Sequence, residues 1–149
     1  MNIVDALQGV RILFLDTAPI VYLLEKNTTY FERAHAIFQR VDAGSILTVT
    51  SPVTLAECMV MPFRQRNEGL KQAFVNFIVH SENTRFVTID EQSSLLAVDL
   101  RACYNLSLPD ALQVASAIDA VCDAFLTNDT QLKRITELKV LVLDELTVS

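Results

Sequence analysis

The sequence is poor in glycine and proline and has no long apolar run. Three glycines and four prolines occur among 149 residues, of which 51% are hydrophobic, and this excludes a disordered, collagen-like or linker-dominated chain. No apolar run reaches the roughly 18 to 20 residues that a membrane span requires. Residues 1–11 also lack a basic region followed by an apolar stretch, so we expect a cytoplasmic globular protein.

Cysteine and histidine are also scarce, and their spacing matches no metal or redox motif. Cys58, Cys103 and Cys122 are odd in number, include no C-x-x-C pair and lie in apolar surroundings. We expect them to be buried, reduced thiols. His35 and His80 have no metal-ligand spacing and are predicted to lie on helix surfaces, so no histidine general base is indicated.

The charge balance is acidic. Eighteen Asp and Glu against twelve Lys and Arg give a net charge of −6, which argues against a broad basic surface that grips duplex DNA. Nucleic acid is not excluded as a substrate, because a carboxylate cluster that binds a cation lowers the net charge while the cation supplies a local positive field. The length predicts a single domain over residues 1–149.

Short β-branched runs alternate with helical patterns along the chain. The runs predict strands at 11–15, 46–50, 85–89, 124–127 and 140–143. Apolar residues at three- and four-residue spacing predict helices at 18–25, 30–41, 53–60, 63–80, 91–103 and 109–121. This alternation predicts an α/β fold with a five-stranded, mainly parallel sheet covered by helices on both faces.

Four acids lie where such a sheet binds ligands. Asp16 directly follows the first strand and Asp129 lies two residues after the fourth. Glu57 lies in the helix after the second strand, and Asp110 lies at the start of a very apolar helix. Right-handed crossovers place all four positions at one edge of the sheet. Crowded carboxylates repel one another unless a cation compensates them, and oxygen ligands suit Mg²⁺ or Mn²⁺.

Each acid also has a purely structural explanation. Asp16 precedes a first-turn proline and Asp129 precedes a helical pattern, as helix caps do. Ser107 and Asp110 match a capping box. An ordinary solvent-exposed position on a helix would account for Glu57, although its sequence neighbours are apolar. Only the shared edge therefore distinguishes a site from four separate caps and surface charges.

At these positions the sequence resembles the PIN domain, and within that family the VapC-like ribonuclease toxins of type II toxin–antitoxin pairs. The similarity covers nearly the whole chain, and the order and spacing of four motifs carry it. These are Leu15-Asp16-Thr17, Ala56-Glu57, Pro109-Asp110-Ala111-Leu112 and Leu126-Thr127-Asn128-Asp129.

The resemblance implies a three-layer α/β/α domain, a Mg²⁺ or Mn²⁺ cofactor, cleavage of single-stranded RNA, a homodimer and inhibition by an antitoxin protein. It assigns the catalytic, metal-binding cluster to Asp16, Glu57, Asp110 and Asp129, with Thr17, Thr127 and Asn128 as supporting polar groups. Two departures stand out. Ala18 replaces a small polar residue, and Ser107-Leu108 replaces the basic residue that some relatives carry before the helical Asp.

Our mechanistic hypothesis makes Asp16 and Asp110 direct metal ligands. Glu57 and Asp129 would then hold metal-bound waters or a second ion, and a metal-activated water would attack the phosphodiester. Basic side chains could bind RNA phosphates beside the four acids, although solvated helix faces explain them equally well. They are Arg64, Arg66, Lys71, Lys133 and Arg134. Candidate interfaces with a second copy or another partner are the helices around Tyr22, Tyr30 and Phe31, or around Phe63 and Phe74.

The alternative from another class is a catalytically silent PIN-like module that binds RNA or protein. Two other phosphoryl-transfer classes match less well. A dehalogenase-type phosphatase needs a second Asp where Ala18 stands, and a receiver domain needs an acidic pair where Leu15 and Thr17 flank Asp16. A dinucleotide site is excluded because Gly44 and Gly69 are isolated.

Overall fold

The computed structural model describes residues 1–148, which form an α/β fold. Over these residues the elements, in chain order, are α1 (Ile3–Ala6), β1 (Ile12–Leu15), α2 (Thr17–Leu24), α3 (Phe31–Asp42), β2 (Leu47–Thr50), α4 (Pro52–Arg64), α5 (Glu68–His80), β3 (Thr84–Phe86), α6 (Glu91–Tyr104), α7 (Leu108–Asp119), β4 (Ala124–Thr127) and β5 (Lys139–Val142). Two short 3₁₀ helices, Thr130–Arg134 and Leu143–Glu145, flank β5.

The sheet has the strand order β3-β2-β1-β4-β5, and each of these four strand pairs is parallel. β1 is central, because it pairs with β2 through Ile12 and Leu47 and with β4 through Leu13 and Ala124. All five strands therefore end at the same edge, which we call the carboxyl edge, and begin at the opposite one, the amino edge. The predicted parallel sheet is confirmed.

Two hydrophobic cores lie on opposite faces of the sheet. Leu13 and Leu15 belong to the first core and Phe14 belongs to the second, as expected because successive residues of a strand point to opposite faces. Residues of α1 to α5 contribute to the first core, and residues of α6 and α7 to the second. Helices thus cover both faces, which confirms the expected three layers.

Two of the predicted elements had wrong boundaries. The third strand ends at Phe86 and not at residue 89, because its neighbour β2 ends at Thr50 and the chain there turns into α4. The predicted helix at 63–80 is two helices. Arg66 has a left-handed φ of 52°, and the side chain of Asn67 accepts a hydrogen bond from the backbone nitrogen of Leu70 at 3.1 Å, which starts a new helix.

Surface exposure settles some of the other expectations. Cys58 is buried and Cys122 partly buried, but Cys103 is exposed, so the expectation of a buried thiol was wrong there. Phe74 is fully buried and cannot contribute to an interface, whereas Phe63 is 58% exposed. None of the helices within residues 1–148 is long and apolar enough to cross a membrane.

Candidate active site

An open cavity of about 540 Å³ lies at the carboxyl edge, where β1 and β4 end. The charged side chains in its wall are four carboxylates, those of Asp16, Glu57, Asp110 and Asp129. The three supporting residues suggested by the sequence border the same cavity, and so do four others: the wall contains Thr17, Thr127 and Asn128 together with Ala18, Val21, Tyr22 and Thr130. The structure therefore brings all seven predicted site residues to one cavity.

Asp16 is the most deeply placed of the four acids, at 9% exposure. One carboxylate oxygen, Oδ1, accepts a hydrogen bond from the backbone nitrogen of Thr17 at 2.9 Å, and Oδ2 accepts one from the hydroxyl of Thr127 at 2.8 Å. Burial nevertheless raises the pKa of Asp16 to about 6, and the charges of Asp110 and Glu57 act in the same direction. The two hydrogen bonds only partly offset that rise.

Glu57 is exposed and reaches the cavity from α4. Its Oε1 atom accepts a hydrogen bond from the hydroxyl of Thr17 at 2.7 Å, so the residue next to Asp16 also holds the second acid. The apolar neighbours of Glu57 in sequence had suggested a less solvated position. Cys58, the next residue, faces the core instead, and burial raises the pKa of its thiol far above the usual range.

Asp110 and Asp129 complete the acidic wall. Asp110 is half-buried in the first turn of α7, and burial raises its pKa, opposed by a hydrogen bond with Ser107 and reinforced by the charge of Asp129. Asp129 is exposed, and its Oδ1 atom accepts a hydrogen bond from the backbone nitrogen of Gln131 at 2.9 Å. The acids thus influence one another in a chain across the cavity.

The same acid can cap a helix and line the cavity. Asp16 caps α2 and Asp129 caps the 3₁₀ helix Thr130–Arg134, while Ser107 caps α7 just before Asp110. A capping carboxylate lies where a strand ends and a helix starts, and in a parallel sheet that place is also the edge at which ligands bind. The two explanations of these acids from sequence therefore describe the same geometry.

The donor atoms of the wall suit a hard cation. Carboxylate, hydroxyl and amide oxygens are the ligands that Mg²⁺ and Mn²⁺ prefer. Within residues 1–148, no three His, Cys, Asp or Glu side chains lie close enough together to hold one ion as they stand. The oxygen donors of the wall match the ligand chemistry of a Mg²⁺-type ion, to which proteins usually supply one or two carboxylates directly while water fills the remaining positions.

Tyr22 is a cavity residue that the sequence did not single out for the site. Its hydroxyl accepts a hydrogen bond from Nδ2 of Asn128 at 3.1 Å, and Oδ1 of Asn128 accepts one from the backbone nitrogen of Asp144 at 2.8 Å. The Tyr22 ring stacks on Tyr30 with a centroid separation of 4.7 Å. Asn128 is thereby oriented from both ends, and its amide fixes the position of Tyr22 rather than that of an acid.

Two of the five basic residues considered as RNA contacts, Lys71 and Lys133, already have acidic partners. Nζ of Lys71 lies 2.7 Å from Glu68 and 4.1 Å from the ring centre of Phe63. Lys133 forms an ion pair with Glu145 at 2.8 Å. These contacts support the interpretation of both lysines as surface residues.

Comparison with known proteins identifies related sequences and folds. A family model described as the PIN domain matches residues 13–138. A comparison with curated proteins gave no match. Among solved structures, VapBC2 from Rickettsia felis, bound to a DNA fragment from its promoter, has a TM-score of 0.69 at 17% identity, with 88% of this chain and 98% of that chain covered.

Two further structures show the same likeness. VapBC-1 from nontypeable Haemophilus influenzae has a TM-score of 0.69 at 22% identity, with 90% of this chain and 99% of that chain covered. VapC20 from Mycobacterium tuberculosis, a toxin that cleaves the sarcin–ricin loop, has a TM-score of 0.65 at 16% identity, with 85% and 98% covered. At these identities the likeness shows that the fold is shared.

Proposed function

This chain belongs to the PIN domain family, and on that premise we propose that it is a VapC-like, metal-dependent endoribonuclease. It hydrolyses phosphodiester bonds of single-stranded RNA in the cavity bordered by Asp16, Glu57, Asp110 and Asp129. The fold shared with toxins of toxin–antitoxin complexes supports the assignment to that type of nuclease.

The environment of Asp16 is the observation that carries this proposal. A helix cap functions well when exposed to water, yet Asp16 is nearly buried and faces further carboxylates. Such an arrangement opposes the ionised form and lowers the stability of the folded state at neutral pH. A bound cation would relieve that cost, which a structural role alone leaves unexplained.

We propose Mg²⁺ or Mn²⁺ as the cofactor, held by Asp16 and Asp110, with Glu57 and Asp129 at its periphery. When bound, such an ion supplies positive charge against the scissile phosphate and makes water easier to deprotonate near neutral pH. The donor set of the wall fits this group, because it is made of oxygen atoms.

The protein's own side chains would orient these groups. Thr127 holds one oxygen of Asp16, and Thr17 holds Glu57 beside it. Glu57 and Asp129 are exposed within the wall, so their carboxylates can accept hydrogen bonds from water that enters with the substrate. The acidic wall would repel a free phosphate, so RNA would approach only after the local charge has been reversed.

Cation binding and cleavage together test the proposal. Wild-type protein should gain thermal stability with added Mn²⁺ and cleave single-stranded RNA, and Asp16→Asn should lose both properties while remaining folded. Asp123→Asn, an exposed acid at the amino edge, is the control and should behave as wild type. Wild-type cleavage that survives in Asp16→Asn would refute the assignment. RNA binding without any metal effect or cleavage would favour the catalytically silent module.

We also propose two protein partners, a second copy of the chain and an antitoxin of the kind present in the similar VapBC structures. Large apolar side chains support this, because Met61 and Phe63 on α4 and Leu95 and Val98 on α6 are 48 to 63% exposed. Light scattering should give the mass of a dimer for wild type and of a monomer for a variant with Leu95→Glu or Phe63→Glu. Monomeric wild-type protein would remove the dimer from the proposal.

The RNA target can be identified by mapping the cleavage sites. Cleavage sites in total RNA after induction of wild-type protein, with Asp16→Asn as the blank, would show whether cuts occur at one sequence or at many. Cuts at many unrelated sequences would show that the nuclease does not select its target by sequence.

A further inference from the structure

A buried glutamine joins the elements that carry three of the four acids. Gln113 lies in α7 at 1% exposure. Its side-chain carbonyl accepts a hydrogen bond from the hydroxyl of Ser51, and its amide nitrogen donates one to the hydroxyl of Thr54 at 2.8 Å. The Thr54 hydroxyl in turn donates to the backbone carbonyl of Leu15 at 3.3 Å. Ser51 and Thr54 are both fully buried.

Three members of this network lie within three residues of an acid. Leu15 immediately precedes Asp16, Thr54 lies three residues before Glu57 on α4, and Gln113 lies three residues after Asp110 on α7. A separation of three residues on a helix is about one turn on the same side.

The network is also the polar connection between the two helices. In the part of the chain that the structure describes, the side-chain hydrogen bonds between the start of α4 and α7 all involve Gln113. Movement of either helix relative to the end of β1 would break at least one of these bonds.

Packing alone does not explain a glutamine here. The neighbours of Gln113 on α7, including Val114 and Ala117, are buried and apolar, and a buried amide costs free energy unless its hydrogen bonds are made. An apolar side chain of similar volume would fill the same space. The amide has directional bonds to two elements at once, which an apolar residue lacks.

We infer that Gln113 is a positioning residue: through Ser51, Thr54 and Leu15 it sets the spacing of Asp110, Glu57 and Asp16. The inference rests on the proposed function, because it concerns the geometry of the same site. Gln113 itself does not border the cavity and acts only through the elements that it links.

Gln113→Met tests the inference, because methionine keeps the length of the side chain and removes both hydrogen bonds. The affinity for Mn²⁺, measured by the electron paramagnetic resonance signal of the free ion, should fall by about 10- to 100-fold, as loss of an outer-shell contact does. The kcat for a single-stranded RNA should fall similarly with little change in KM. Wild-type Mn²⁺ affinity in Gln113→Met would overturn the inference.

Thr48→Val is the matched control. Thr48 is equally buried at the other end of β2, where its hydroxyl bonds to the carbonyl of Asn83 and the hydroxyl of Thr84. It should lower the melting temperature about as much as Gln113→Met does while leaving Mn²⁺ affinity unchanged. An equal loss of affinity in both variants would mean general destabilisation and would also overturn the inference.

A second variant tests the same network in case Gln113→Met does not fold. Thr54→Val removes the next link, and its effect on Mn²⁺ affinity should be non-additive with that of Gln113→Met if both act through one network. Additive effects would contradict the inference.

A structural comparison separates this inference from the proposed function. Wild-type protein that binds no Mn²⁺ would refute the function alone. Crystal structures of metal-free wild type and Gln113→Met should then still differ in the separation of Asp16 and Asp110, and unchanged separations would overturn the positioning role.

Discussion

Asp16 at the carboxyl edge and Asp123 at the amino edge each accept two hydrogen bonds. Asp16 accepts them from Thr17 and Thr127, whereas one oxygen of Asp123 accepts them from the backbone nitrogens of Arg11 and Ile12, both at 2.9 Å. Asp123 is exposed to water, while Asp16 is nearly buried among other acids. Hydrogen bonding is thus common to both edges, and burial together with like charge distinguishes the candidate site.

The comparison extends along a single helix. Asp110 lies in the first turn of α7 at the carboxyl edge, and Asp119 ends the same helix on the opposite side of the molecule. An acid is favoured by the helix dipole at the first position and disfavoured at the last. One helix therefore offers both a candidate catalytic acid and its own internal control.

The largest expected effect is a loss of cleavage activity when Asp110 is replaced, compared with replacement of Asp119. Asp110→Asn should lower metal-dependent RNA cleavage by about 100-fold or more, the usual scale for loss of a group that stabilises charge in the reaction. Asp119→Asn should leave the rate within about twofold and stabilise the fold slightly, by about 0.5 kcal/mol. Initial rates on a labelled RNA measure both. Equal losses in the two variants would abolish the distinction between the edges.

The second effect is on the pH dependence of stability. Because the pKa of Asp16 is about 6 in the folded protein and 3.8 ordinarily, the folded state binds the proton more tightly. The contribution of Asp16 to the free energy of unfolding is therefore most favourable below about pH 3.8. It is lost as the pH rises to about 6, a change of about 3 kcal/mol. In chelator, Asp16→Asn should consequently be more stable than wild type at pH 7.5.

Urea unfolding at pH 3.5 and at pH 7.5 measures this difference. Both values lie away from the pI of about 4.8, where the protein has the lowest net charge and the lowest solubility. The stability advantage of Asp16→Asn should shrink at the lower pH. An Asp16→Asn variant that is less stable than wild type at pH 7.5 would contradict the buried, strained carboxylate. Asp123→Asn provides the comparison and should show no such gain.

A smaller effect is expected from Thr127→Val. The hydroxyl of Thr127 donates to Asp16 and accepts from the backbone nitrogen of Asp129 at 3.1 Å, so the variant loses both bonds. The pKa of Asp16 should rise further above 6, and stability should fall by about 1 to 2 kcal/mol. Carbon-13 NMR of the Asp16 carboxyl follows the pKa, and an unchanged titration would show that the hydroxyl does not support the charge.

The smallest effect is expected at the amino edge. Asp123→Ala leaves two backbone nitrogens at the start of β1 to water and should cost about 1 kcal/mol of unfolding free energy. Cleavage and Mn²⁺ affinity should not change. A loss of activity in Asp123→Ala would mean that a structural change at the amino edge alters the cavity.

Sequence patterns predicted the framework of the fold because its buried strands are short runs of mainly apolar or β-branched residues between turns. The order of strands and helices was predictable, and so was the edge that carries the acids. Arg66 was not, since its left-handed conformation breaks a continuous helical pattern that has no proline or glycine at that point. The third strand was overestimated because an edge strand ends where its neighbour does, which is a property of the pairing.

The supporting residues of the cavity were predicted less completely than the acids. Acids at strand ends are visible in sequence, but Tyr22 reaches the cavity from a helix face that resembles ordinary core. Gln113 had a visible signal, a single amide within the apolar run 111–118. Its partners, Ser51 and Thr54, lie about 60 residues earlier along the chain, and only the folded structure brings them together.

The hydrogen bonds that start two helices have a consequence for the entropy of ligand binding. Asp16 and Asp129 each have an oxygen bonded to a backbone nitrogen of the helix that follows. Their side chains are therefore immobilised when the protein folds and lose little further rotamer freedom when a ligand arrives. For the cation that we propose, these two carboxylates are in this respect preorganised binding groups.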